Sequence, residues 1–191
     1  MAVFCGSSKG FSEEYAKCAG DLGRYLARSG IGMVYGGGKI GLMGAIADAI
    51  IDEGGEVIGV IPGLLRHEEV AHTRVERMIV TRKMSKRKVR ISKLVDGYIA
   101  MPGGFGTLDE VFEALTLGQL GIESKPVGLL NVKNYFDPTI RQLDHMVKEG
   151  FLSKENREML LVSESIEDLL KQMSEYEAPR NSKIVRSKTG S

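Results

Sequence analysis

The sequence is poor in cysteine and histidine. Cys5 and Cys18 are the only two cysteines in 191 residues, too few for a disulfide framework. Two cysteines and three histidines do not readily build a zinc site either. His67 and His72 lie five apart in HEEVAH, so they do not share a helix face as the ligands of H-E-x-x-H do. No run of about 18 uncharged apolar residues occurs, so no membrane span is expected. The opening MAVFCGSSKG has no basic stretch followed by an apolar one, so no signal peptide is expected and the reading is cytoplasmic. Excess charge of one sign is missing too: 26 Lys and Arg face 25 Asp and Glu, for a net +1. That balance argues against chain-wide attraction to nucleic acid or to a membrane. With 42% hydrophobic and 27% charged residues, the composition is that of a globular domain. Glycine, by contrast, is plentiful at 24 residues, and it is clustered.

Short apolar runs alternate with longer amphipathic segments. The runs Ala2–Cys5, Gly32–Tyr35, Val57–Ile61, Arg77–Val80, Gly97–Met101, Val127–Asn131 and Met159–Val162 read as strands buried on both faces. Ser12–Ser29, Leu42–Glu53 and Thr107–Leu120 read as helices. The alternation predicts an α/β fold: a single doubly wound, Rossmann-like domain with a mostly parallel sheet of about seven strands and helices on both faces. Ligands are then expected at the carboxyl ends of the strands. The domain is read as residues 1–176, and 177–191 as a polar, basic tail expected to be mobile or loosely docked.

Two glycine-rich loops each follow a strand and open a helix. In GMVYGGGKIGLMGAIADAI, Gly36, Gly38 and Gly41 satisfy G-x-G-x-x-G. The next strand, EVIGVIP, carries no carboxylate at its tip for ribose hydroxyls, which speaks against a dinucleotide. The loop is read either as a phosphate cradle or as a tight turn serving helix–sheet packing. In DGYIAMPGGFGTLDEVFEALT, Gly103, Gly104 and Gly106 make a backbone nest of the kind that binds anions. Thr107-x-x-Glu110 fits a capping box, with Asp109 and Glu110 in a first helical turn. The alternative is a Glu110 carboxylate held beside a bound phosphate ester, to stabilise an oxocarbenium-like centre or activate water.

Thr81–Arg90, TRKMSKRKVR, holds six Lys or Arg in ten residues. It reads as a solvated face, as a nucleic-acid patch lacking aromatic residues to stack bases, or as a source of one arginine for the phosphate site. Cys5 reads as a small buried hydrophobe. Ser7 and Ser8, in CGSS, read as ligand contacts or as turn residues.

YGGGKIGLMGAIADA followed by PGGFGTLDE resembles the Lonely Guy family of cytokinin-activating phosphoribohydrolases. The resemblance runs from CGSS at Cys5 to EYEAP near Pro179 and includes QLGIESKPVGLLNVKNYFD. It implies a homodimeric, Rossmann-like enzyme that needs no cofactor or metal. Such an enzyme hydrolyses the N-glycosidic bond of N6-substituted adenosine 5′-monophosphates to free base and ribose 5-phosphate. It places the family's catalytic glutamate at Glu110, closing PGGxGTxxE. The catalytic arginine falls at Arg87, in Met84-Ser85-Lys86-Arg87-Lys88, where Ser85 replaces the common histidine. Substrate contacts are implied at Ser8, Gly37, Gly38, Glu69, Met84 and Lys88. More are implied along the loop Gly103, Gly104, Phe105, Gly106 and Thr107, and at Thr116. The family also carries a lysine-decarboxylase label, but no lysine here is marked as a Schiff base for pyridoxal phosphate. A non-catalytic carrier of a nucleotide or of the molybdenum cofactor is the alternative on a similar fold. Joint presence of Arg87 and Glu110 favours the enzyme.

Overall fold

Each expected apolar run forms a strand in a computed structural model that describes residues 1–63 and 71–179. The strands are β1 (Ala2–Phe4), β2 (Met33–Tyr35), β3 (Val57–Pro62), β4 (Arg77–Thr81), β5 (Tyr98–Ala100), β6 (Val127–Leu130) and β7 (Leu160–Ser163). All pair in parallel, in the order β4-β3-β2-β1-β5-β6-β7. Among the described residues there are seven α-helices: α1 (Glu13–Arg28), α2 (Gly41–Asp52), α3 (Met84–Ser92), α4 (Phe105–Gln119), α5 (Asp137–Lys148), α6 (Lys154–Arg157) and α7 (Ile166–Ser174). None of these helices is long and apolar enough to cross a membrane.

Burial on both faces explains why the central strands lack alternation. Val3, Met33, Tyr35 and Ile99 pack into one core with α1, α2 and α7, through Leu22, Ile46 and Leu169. Their neighbours Ala2, Phe4, Val34, Tyr98 and Ala100 pack into a second core with α3, α4 and α5, through Ile91, Val111 and Leu143. Only β4, at one edge, leaves residues exposed along its length.

The strand order turns the chain back between β1 and β5. β2, β3 and β4 step outward on one side of β1, and β5, β6 and β7 on the other. The crevice at the carboxyl ends of β1 and β5 is therefore the topological switch point, where this architecture binds ligands. α3 carries the chain from the β4 edge back to β5, so its side chains overlie that crevice.

Gly41 shows how tightly the first glycine loop is closed. Its φ is +66°, and a Cβ there would run into the backbone of Ser7. Leu42 N–H donates to the Gly6 carbonyl at 3.0 Å, so the β1–α1 loop sits against the start of α2. Gly41→Ala meets both the left-handed penalty and a backbone overlap. We expect it to lower stability by about 3 kcal/mol, read as a fall in the urea midpoint at unchanged m.

Candidate active site

The two glycine loops look alike in sequence and differ in what stands in front of them. In the first, Gly6 and Ser7 close on Gly41 and Leu42, the Gly37 carbonyl accepts from His72 N–H at 2.9 Å, and Gly38 bridges Ala71. The packing reading accounts for Gly41. In the second, a Cβ added at Gly104 or Gly106 would meet nothing within 4 Å. The fold itself does not demand glycine there. What glycine provides is room for a ligand to approach the backbone.

α4 begins at Phe105 with Gly104 as its N-cap, two residues before the expected start. The amides of Phe105, Gly106 and Thr107 are its first three, which have no intrahelical acceptor. They form a positive helix terminus beside an open loop, a place suited to an anion. The early start overturns the capping box. Thr107 is buried in the first turn, no side chain caps the helix, and Asp109 and Glu110 fall in the second turn.

Glu110 is thereby free to pair elsewhere. Arg87, on α3, donates to the Glu110 carboxylate, and the two side chains are only 15% and 11% exposed. The guanidinium lies over the end of β2: a Cβ on Gly36 would come within 3.3 Å of Arg87 Nη1. Arg87 Nε is buried and has no hydrogen-bond partner among the described residues. Burial pushes the Glu110 carboxyl above its ordinary range, and Arg87 pulls against that rise. Burial, and then Glu110, push the thiol of Cys5 up, so Cys5 stays protonated beside the carboxylate.

Lys88, next along α3, bonds to Asp109 at 2.7 Å and Glu113 at 2.6 Å. Burial works to lower its pKa, but the two carboxylates outweigh it and hold the ammonium charged. The remaining basic residues of the segment, Arg82, Lys83, Lys86 and Arg90, are exposed. The site thus draws two cations from what the sequence shows as a charge run.

A cleft of about 760 Å³ opens between α3 and α4 beside Glu110. Phe4, Ile91, Ala114 and Leu117 line it together with Glu123, which accepts from Ser92 and from Tyr98 at 2.6 Å. It is an apolar space opening from the paired carboxylate, suited to a flat aromatic group.

The expected site residues do not all converge. Arg87, Lys88, Glu110 and the loop Gly103–Thr107 share the carboxyl edge at β1 and β5. Ser8 is exposed, and its hydroxyl accepts from Gly10 N–H at 3.2 Å, a turn contact. Met84 is exposed at the first position of α3. Thr116 lies six residues beyond Glu110, about 120° round the helix. It donates to the Phe112 carbonyl at 2.6 Å and lines a separate cavity with Leu115 and Leu143. Glu69 lies outside the described residues. The sequence reading missed Tyr135, whose hydroxyl donates to the Gly103 carbonyl at 2.6 Å. It also missed Gly36 as the seat of Arg87. Position alone signalled both, since each follows a strand at the carboxyl edge.

Residues 43–173 match the family model described as "Possible lysine decarboxylase". The chain is 42% identical over 189 residues to the cytokinin riboside 5′-monophosphate phosphoribohydrolase LOG1 of Arabidopsis thaliana, covering 99% of this chain and 88% of that protein. It is 42% identical over 176 residues to the rice (Oryza sativa subsp. japonica) phosphoribohydrolase LOG, covering 92% and 73%. Among solved structures it resembles the molybdenum cofactor binding protein of Rippkaea orientalis, with TM-score 0.69, 22% identity and coverage of 91% and 94%. The molybdenum cofactor carrier protein of Chlamydomonas reinhardtii gives TM-score 0.67, 23% identity and coverage of 92% and 97%. At that identity the two structures share the fold.

Proposed function

The chain belongs to the Lonely Guy family of cytokinin riboside 5′-monophosphate phosphoribohydrolases, and we propose that it hydrolyses the N-glycosidic bond of N6-substituted adenosine 5′-monophosphates to free base and ribose 5-phosphate. Within the chain, one observation carries this reading. A buried carboxylate, paired with a guanidinium, stands one helical turn from open backbone amides at the switch point of the sheet.

Each group has a role. The Gly103–Thr107 loop and the start of α4 hold the 5′-phosphate. The base enters the apolar cleft between α3 and α4, which sets the anomeric carbon beside Glu110. As the C–N bond breaks, its electron pair leaves with the purine, which takes up a proton from solvent that Glu110 returns at the end of the cycle, and positive charge develops on the sugar. The Glu110 carboxylate stabilises that charge and accepts a proton from the attacking water. Asp109 is not a second catalytic carboxylate, because it is largely exposed and tied to Lys88. Arg87 opposes the effect of burial on Glu110, favouring the ionised carboxylate, and orients it.

The family's decarboxylase label fits less well. A Schiff-base lysine must be neutral to react, whereas Lys88, the lysine beside Glu110, is held charged by two carboxylates. The carrier reading shares the fold but gives no account of a buried Arg87–Glu110 pair.

The assay uses AMP and N6-isopentenyl-AMP separately, with released base resolved by chromatography. Base and ribose 5-phosphate are expected in equal amounts from the N6-substituted nucleotide. No release from either nucleotide would overturn the reading.

The working unit proposed is a cytoplasmic homodimer. Its support is the exposure of Val89 and Ile122, two apolar side chains at the cleft between α3 and α4. Free thiols at Cys5 and Cys18 suit a reducing compartment. Sedimentation equilibrium is expected to give twice the mass of one chain. A single-chain mass at micromolar concentration would remove the dimer.

A further inference from the structure

The peptide between Gly103 and Gly104 joins two residues without side chains; the carbonyls on either side, of Pro102 and Gly104, accept from Gly6 N–H at 3.0 Å and Leu108 N–H at 3.2 Å, but its own carbonyl receives no backbone donor among the described residues. Its carbonyl is nevertheless fixed from outside. Tyr135 donates its hydroxyl to the Gly103 oxygen at 2.6 Å, from the far side of the β6–α5 connection. In a trans peptide the carbonyl and the following N–H point in opposite directions. A Gly103 oxygen turned to Tyr135 therefore turns the Gly104 N–H away from it. That amide directly precedes the open amides of Phe105 and Gly106.

The segment that delivers Tyr135 is built at a cost. Lys133 and Asn134, neither of them glycine, both adopt left-handed backbone, with φ of +55° and +58°. Such pairs persist only where the surroundings over-determine them. Here Lys133 Nζ bonds to Glu14 at 2.6 Å and to Ser12 at 3.3 Å, on and beside α1. The buried Asn131 accepts from Phe136 N–H at 2.8 Å and donates to Asp137 at 2.9 Å. The Tyr135 ring stands edge-on to Tyr15 and to Phe136. Contacts from α1 and from the start of α5 thus hold one phenol against one glycine carbonyl.

We propose that Tyr135 is a positioning residue that locks the Gly103–Gly104 peptide so that the Gly104 amide serves the substrate's phosphate. The proposal rests on the reading that this loop holds the 5′-phosphate. Tyr135→Phe removes the hydroxyl and keeps the ring contacts, so the fold is expected to be unchanged. Binding of AMP and of adenosine is measured by calorimetry in a Glu110→Gln background, which prevents turnover. With Tyr135→Phe added, the Kd for AMP is expected to rise about tenfold, near 1.4 kcal/mol. The Kd for adenosine, which has no phosphate, is expected to stay within twofold. Ribose 5-phosphate should weaken in parallel with AMP. Equal losses for AMP and adenosine would mean a general disturbance of the site and would overturn the proposal. A preference for AMP that survives Tyr135→Phe unchanged would overturn it while leaving the phosphate reading intact. If the Glu110→Gln protein binds AMP no better than adenosine, the phosphate reading fails and this proposal fails with it.

Discussion

Glu110→Gln is expected to lower kcat by about a thousandfold or more, some 4 kcal/mol of barrier, while AMP binding changes by no more than a few-fold. The substitution keeps the shape of the side chain and removes its charge and its basicity. Nothing in the helix start compensates or confounds the result, because Glu110 makes no cap to lose. Stability should respond in the opposite direction from activity. Burial raises the carboxyl's pKa in the folded protein above its unfolded value. The fold therefore favours the protonated form. That advantage is complete below the unfolded pKa and is lost as pH rises through the folded one. Above the folded pKa the wild type has lost it, whereas glutamine never ionises. The Tm of Glu110→Gln at pH 7 should be no lower than that of the wild type, and any gain should shrink as the pH is lowered. Thermal melts and base-release assays on the same preparations check both halves. Hydrolysis within a few-fold of wild type would remove Glu110 from the chemistry.

How far the sequence could lead is clearest at three places. Met33–Val34–Tyr35 is apolar at every position because both faces of β2 are covered, so the run itself announced a parallel strand. α3 was not legible as a helix. TRKMSKRKVR buries only Ile91 just beyond it, and what shapes it is the need to carry the chain from β4 across to β5. The third place is the pair of glycine loops. Their local sequences suggest the same phosphate cradle, and the β1–α1 loop tells them apart, closing on Gly41 in the first while it meets only Pro102 and Gly103 of the second and leaves Gly104 and Gly106 open. That distinction is a non-local contact. The T-x-x-E pattern misled for a related reason: it is a local signal, and the distant Arg87 claims Glu110 instead.

Arg87 is where charge and geometry can be separated. Arg87→Met removes the cation that opposes burial at Glu110, so the Glu110 carboxyl should rise further above its ordinary range. Since catalysis needs the ionised carboxylate, activity grows as pH rises through that pKa. The acid limb of kcat/KM for Arg87→Met should therefore sit at higher pH than the wild-type limb, with the plateau lowered about a hundredfold or more. Arg87→Lys keeps the charge, so its acid limb should move much less. It still loses the planar fork that spans Glu110 and lies over Gly36, and its plateau should fall on the order of a hundredfold. Profiles from pH 5 to 9 on the three proteins test this. A limb that stays in place in Arg87→Met would mean that Arg87 does not govern the protonation of Glu110. A limb that moves as far in Arg87→Lys as in Arg87→Met would mean that position on the carboxylate, rather than charge, controls it.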